Sequence, residues 1–122
     1  MIKNILLVGL GGFIGSTLRY VTYLFIDKRF ELTFPLSTFT VNIIGSFLLG
    51  IIMSLAAKDL LNEPMRLLLA VGICGSFTTF STFALENLNL LSGKEVFTSF
   101  LYIAASVVLG IGAAFAGQLI VK

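Results

Sequence analysis

The chain has 122 residues and a net charge of +2, with 57% hydrophobic and only 11% charged residues. A soluble domain carries about 25% charged residues, and a chain this short has too high a surface-to-volume ratio to hide so much apolar surface. With a mean hydropathy of +1.06 and eight cations scattered rather than gathered in a patch, an ordinary soluble enzyme, a disordered chain and a nucleic-acid binder are all excluded.

A membrane-spanning helix needs about 20 mostly apolar residues, and the sequence offers four such runs in one integral membrane domain covering residues 1–122. The first, residues 5–26, is interrupted only by Arg19 and is too long for a cleavable signal, so it reads as a permanent span. Gly11 and Gly15 form a GxxxG pair in it, a signature of close helix approach. Arg19 lies near the end of this run, where it can snorkel to the interface or concentrate anions at a vestibule.

The second run, residues 34–57, contains no charge. Thr38, Asn42, Gly45 and Ser46 share one helical face in it. Small and hydroxyl residues suit helix packing, but the Asn42 amide has two donor hydrogens and an acceptor to satisfy in hydrocarbon. A packing role and a permeant-facing role both remain open for it.

The third run, residues 65–91, is preceded by Pro64, a residue that suits a helix start. Its segment from Gly72 to Phe83 combines two glycines, five hydroxyls and three Phe. Gly, Ser and successive Thr weaken a regular helix, and a broken helix at membrane depth survives only where protein buries it or where it lines a cavity. The expected break, at Gly75 to Thr78, falls near the bilayer midplane, and freed carbonyls there would suit a small hard cation. Phe80 and Phe83 alternate with Thr79, Ser81 and Thr82. Their positive ring edges would suit a small anion that has left water. Glu86 near the exit reads as interfacial or as a partner for Arg19.

The fourth run, residues 96–121, carries Tyr102, Ser106 and Gly110 on one face. Cys74 is the sole cysteine and there is no His, so neither an internal disulfide nor a Cys/His metal cluster can form. Cys74 reads as a small buried core residue.

Four spans place both termini on one side of the membrane. Lys3, Lys58, Arg66 and Lys122 lie on that side, and Lys28, Arg29 and Lys94 on the other. Orientation follows the Lys/Arg excess in short loops, and this distribution gives almost none. Either the chain inserts one way on a weak bias, or it inserts both ways and pairs with its inverted copy about a two-fold axis in the membrane plane.

Three motifs, in order and each on its own span, resemble the Fluc/CrcB fluoride channels: residues 11–20 (GGFIGSTLRY), 38–47 (TFTVNIIGSF) and 72–83 (GICGSFTTFSTF). The resemblance covers nearly the whole chain. It implies an all-α fold of four transmembrane helices with a broken third helix, assembled as an antiparallel, dual-topology homodimer in the inner or plasma membrane. It implies passive export of fluoride from the cytoplasm through two pores. Asn42 would donate to fluoride, and Phe80 and Phe83 would supply ring edges. Thr38, Ser81, Tyr102, Ser106 and Glu86 would lie on or near the polar track, and Arg19 near the vestibule. A structural Na+, not transported, would sit on the backbone carbonyls of Gly75 and Thr78 from both subunits. The sequence departs from the family at Ser16, Ser37 and Ser76.

Two other classes compete. A small-multidrug-resistance-like dual-topology transporter needs a carboxylate in its first span, where this chain has Arg19. A structural membrane scaffold would not need the polar third span. An enzyme is not expected, because no nucleophile has a base partner.

Overall fold

The computed structural model describes residues 1–122 and is entirely helical. α1 runs Ile2–Arg29 and α2 runs Leu36–Ala57. The third crossing begins with α3, Glu63–Arg66, continues through wide π-type turns over Leu67–Cys74, and ends its first half in α4, Gly75–Phe77. α5 spans Phe80–Ser92 and α6 spans Val96–Val121. Four stretches are long and apolar enough to cross a membrane: Ile2–Arg29, Leu36–Ala57, Glu63–Ser92 and Val96–Val121. The first therefore extends beyond the expected residues 5–26 at both ends, while the fourth matches its expected bounds.

The boundaries have local causes. The second helix starts at Leu36 rather than at residue 34, because Pro35 occupies its N-cap. The third starts at Glu63 rather than at residue 65. Asn62 caps it, with Oδ1 accepting a hydrogen bond from the Met65 N–H at 2.9 Å, and Pro64 sits in its first turn, where a missing N–H costs nothing.

The loss of helical torsions falls beyond the glycines, after the π-type turns that include Gly72. Gly75 to Phe77 keeps helical torsions, and the Ser76 hydroxyl donates back to the Gly72 and Ile73 carbonyls. Helical torsions stop one residue later. Thr78 (φ −84°, ψ 158°) and Thr79 (φ −149°, ψ 125°) are both extended, as suits β-branched side chains. Thr79 then caps α5, its Oγ1 accepting from the Thr82 N–H at 3.2 Å.

Two glycine-zipped pairs hold the helices together. α1 lies along the first half of the third crossing, and α2 lies along α6. A Cβ at Gly11 would stand 2.7 Å from the Gly72 Cα and 2.9 Å from the Ile73 nitrogen. On α6, a Cβ at Gly117 would collide with the Phe47 carbonyl of α2. These backbones touch because the glycine on one helix presents no Cβ to the backbone it faces, the packing mode of helices in lipid. The interior is correspondingly thin and small or polar. Ser37, Thr38, Asn87, Ser99, Cys74, Ala70, Val41 and Tyr102 are buried, while Leu, Ile and Phe cover the outside. Such an inverted distribution suits a bilayer, where apolar groups gain nothing by leaving the lipid.

Gly11→Leu is expected to destabilise the purified protein by about 1–3 kcal/mol through overpacking, seen as a lower unfolding midpoint in detergent. Gly12→Ala, where an added Cβ meets nothing within 4 Å, is expected to leave the midpoint unchanged.

Candidate functional site

The Thr78–Thr79 interruption leaves backbone groups on either side of it without their helical partners, the Thr79 N–H among them. Asn42 on α2 supplies the partner of that N–H and also bonds the Thr79 carbonyl. Its Oδ1 accepts from the Thr79 N–H at 2.8 Å, and its Nδ2 donates to the Thr79 carbonyl at 3.1 Å. One carboxamide thus clasps both polar groups of one residue, and the second Nδ2 hydrogen is left for another acceptor.

Beside the clasp lies a cavity of about 350 Å³, open to the exterior of the chain. Asn42, Ser46, Gly75, Thr78, Phe80, Phe83 and Ser106 contribute to its wall, and no charged residue does. The Ser106 hydroxyl is buried and has no hydrogen-bond partner, the only such side-chain atom in the chain. Phe80 is 77% exposed, and its ring centroid lies 5.8 Å from that of Phe83. Such a wall is uncharged and carries amide and hydroxyl groups among apolar side chains.

Behind this wall runs a hydrogen-bonded chain that joins four helices. The Thr38 hydroxyl donates to Glu86 Oε2 at 2.7 Å, and the Tyr102 hydroxyl donates to Glu86 Oε1 at 2.8 Å. Tyr23 on α1 bonds the same Thr38 oxygen. Thr38 has one hydrogen and gives it to Glu86, so Tyr23 is the donor into Thr38. Thr38 and Tyr102 are fully buried. The Tyr102 ring packs 4.9 Å from the Phe83 ring, which ties this cluster to the cavity wall.

The structure thus divides the sequence-predicted residues. Asn42, Phe80, Phe83, Ser106, Gly75 and Thr78 meet at the cavity. Thr38, Glu86 and Tyr102 meet behind it. Ser81 is exposed in the first turn of α5 and lies outside the wall, its hydroxyl 3.4 Å from that of Thr79. Glu86 is not the partner of Arg19: the Arg19 Nε donates to the Ser76 carbonyl at 3.1 Å instead. A cation there lies against the carbonyl end of the first half of the third crossing, the favourable end for positive charge.

Sequence reasoning missed several participants. Tyr23 sits one turn beyond Arg19 on α1, a spacing that could have drawn notice. The Thr79 backbone carries no sequence signal of its own. Asp27, in the last turn of α1, accepts from Ser37 across the α1–α2 connection. Asn87 and Ser99 form a buried pair, with Ser99 Oγ donating to Asn87 Oδ1 at 2.9 Å.

The model of the family described as CrcB-like protein, Camphor Resistance (CrcB), matches residues 6–118. The chain is 42% identical over 121 residues to a protein of Flavobacterium psychrophilum, covering 98% of each chain. It is 46% identical over 124 residues to one of Chlorobaculum tepidum, covering 100% of this chain and 97% of the relative. A third relative, from Azobacteroides pseudotrichonymphae, is 43% identical over 124 residues, covering 100% of this chain and 98% of its own. All three carry the name fluoride-specific ion channel FluC.

Thr38→Val removes the donor to Glu86 and the acceptor of Tyr23 together. It is expected to lower stability by about 1–2 kcal/mol, while Thr38→Ser keeps most of it; thermal unfolding in detergent checks both.

Proposed function

The chain belongs to the CrcB-like family, and on that footing we propose that it is a fluoride-specific channel that lets the anion leave the cytoplasm down its gradient. It is a multi-pass membrane protein and not an enzyme. The observation that carries the reading is an uncharged cavity whose wall includes Asn42, with one amide hydrogen uncommitted, and Ser106, whose buried hydroxyl has no partner. A buried hydroxyl without a partner is costly, and an acceptor passing through the cavity offsets that cost.

Fluoride is the smallest halide and the strongest hydrogen-bond acceptor among them. A pore that strips its water must return donors at short range, as selectivity filters do for other ions. Asn42 and Ser106 supply those donors, and the edges of Phe80 and Phe83 supply diffuse positive charge without a fixed cation to trap the ion. Thr38, Tyr102, Glu86 and Ser81 lie near that path rather than on the cavity wall. Arg19 adds a positive potential near its mouth.

An inverted second copy, inserted by the near-absence of charge bias, closes the open side of each cavity and completes two pores in a plasma-membrane homodimer. The exposure of Phe80 and the opening of the cavity to the outside support this assembly.

The donor set also fits a structural sodium ion. In a continuous helix the Thr79 N–H would serve the Gly75 carbonyl, and the Thr82 N–H would serve the Thr78 carbonyl. Here the first is bonded to Asn42 and the second to Thr79 Oγ1. Gly75 and Thr78 are thus relieved of their helical donors, leaving hard oxygens of the kind that hold a small cation. The ion would supply fixed positive charge at the junction of the two copies.

The relatives' names favour a channel over a structural scaffold, and a proton-coupled exporter would need a first-span carboxylate that is absent here. The test is fluoride efflux from liposomes holding the purified protein, read with a fluoride electrode and without a proton gradient. Fluoride is expected to leave and chloride to stay. Asn42→Asp is expected to abolish efflux, because a carboxylate repels the anion and donates nothing. Phe80→Ile is expected to slow it while the oligomer stays intact. Wild-type flux in Asn42→Asp, or equal chloride flux in the unmodified protein, would overturn the reading.

A further inference from the structure

α5 is a short helix with an unusual problem. At its N-terminus the extended pair Thr78–Thr79 uncouples it from the first half of the crossing, so helical continuity does not set its rotation or its depth. Phe83 lies on this helix, and the cavity depends on where its ring stands. Asn42 holds Thr79 at the entry, and Glu86 is held by Thr38 and Tyr102. Both contacts tie α5 by side chains that the proposed pore also uses.

A third tie lies away from the cavity. Asn87 Nδ2 donates to the Phe83 carbonyl at 2.9 Å, one turn back, and Asn87 Oδ1 accepts from Ser99 Oγ at 2.9 Å. Ser99 is fully buried in the first turns of α6, and Asn87 is 7% exposed. Neither residue lines the cavity. An Asn in the middle of a helix normally has no advantage over an apolar residue there. Here its amide joins the peptide group of Phe83 to the neighbouring helix in a single relay.

We propose that Asn87 and Ser99 are positioning residues: their buried hydrogen bond fixes the register of α5 against α6 and so holds the Phe83 ring against Tyr102 at the cavity wall. The pair touches no permeant and acts only through Phe83. Its bearing on flux rests on the proposed channel function, but its bearing on the ring does not.

The experiment places 4-fluorophenylalanine at position 83 of the full chain and reads its fluorine resonance in detergent, alongside fluoride efflux of the unlabelled variants in liposomes. Ser99→Ala and Asn87→Leu are each expected to shift or broaden the resonance and to slow efflux about fivefold, with an unchanged elution volume. The double variant is expected to move the resonance no further than Asn87→Leu alone, because the two side chains act through one bond.

An unmoved resonance in Ser99→Ala overturns the proposal, as do additive shifts in the double variant. A moved resonance with wild-type efflux overturns the claim that this position matters for permeation. If the unmodified protein passes no fluoride, the channel reading fails instead, and the resonance still decides the positioning.

Discussion

A peptide group that leaves the helical ladder inside a bilayer must find another partner, because lipid offers none. The Thr78–Thr79 interruption creates that demand, and the Asn42 carboxamide answers it by bonding both the N–H and the carbonyl of Thr79. The first bond diverts the Thr79 N–H from the Gly75 carbonyl, Thr79 Oγ1 takes the Thr82 N–H from the Thr78 carbonyl, and a new helix starts at Phe80. Removing the clasp would leave the Thr79 N–H without a partner.

The rest of the molecule keeps this irregular segment in place with very little interior. Glycines let α1 meet the third crossing, and α2 meet α6, at backbone distance. Hydroxyls and one carboxylate fill the remaining seam: Tyr23, Thr38, Glu86 and Tyr102 form a chain across four helices. Hydrogen bonds in lipid contribute modestly one by one, on average about 0.6 kcal/mol, so holding power comes from linking many elements. The polar groups divide into those with committed partners and those without. Thr38 and Tyr102 spend their hydrogens on Glu86, whereas the Ser106 hydroxyl and one Asn42 hydrogen are unspent. That division locates the donors on which the proposed fluoride path relies.

Much of this was legible in the residues, for physical reasons. Apolar runs with sparse charge define spans because lipid tolerates nothing else, so the four crossings were readable to within a few residues. The motifs bearing Asn42, Phe80 and Phe83 pointed to the family that residues 6–118 match. Other features were hidden. Composition placed the break at Gly75 to Thr78, with the successive threonines among its causes; the extended torsions fall on Thr78 and Thr79, because Ser76 supports its own turn through back-bonding. The partner of Arg19 is a backbone carbonyl rather than Glu86, and backbone acceptors carry no letter in a sequence. Asn87 and Ser99 lie twelve positions apart on different helices, so no helical periodicity joins them.

The central claim is that the unspent hydrogen of the Asn42 amide faces a dehydrated small anion while the other is held by Thr79. Nitrogen-15 labelling of asparagine, with the Asn42 side-chain signal assigned by its loss in Asn42→Ser, allows the two amide protons to be followed separately by NMR during a halide titration. The account predicts that fluoride moves one of the two protons strongly downfield and that chloride at the same concentration moves neither. Two unmoved protons, or the same displacement by both halides, would contradict it.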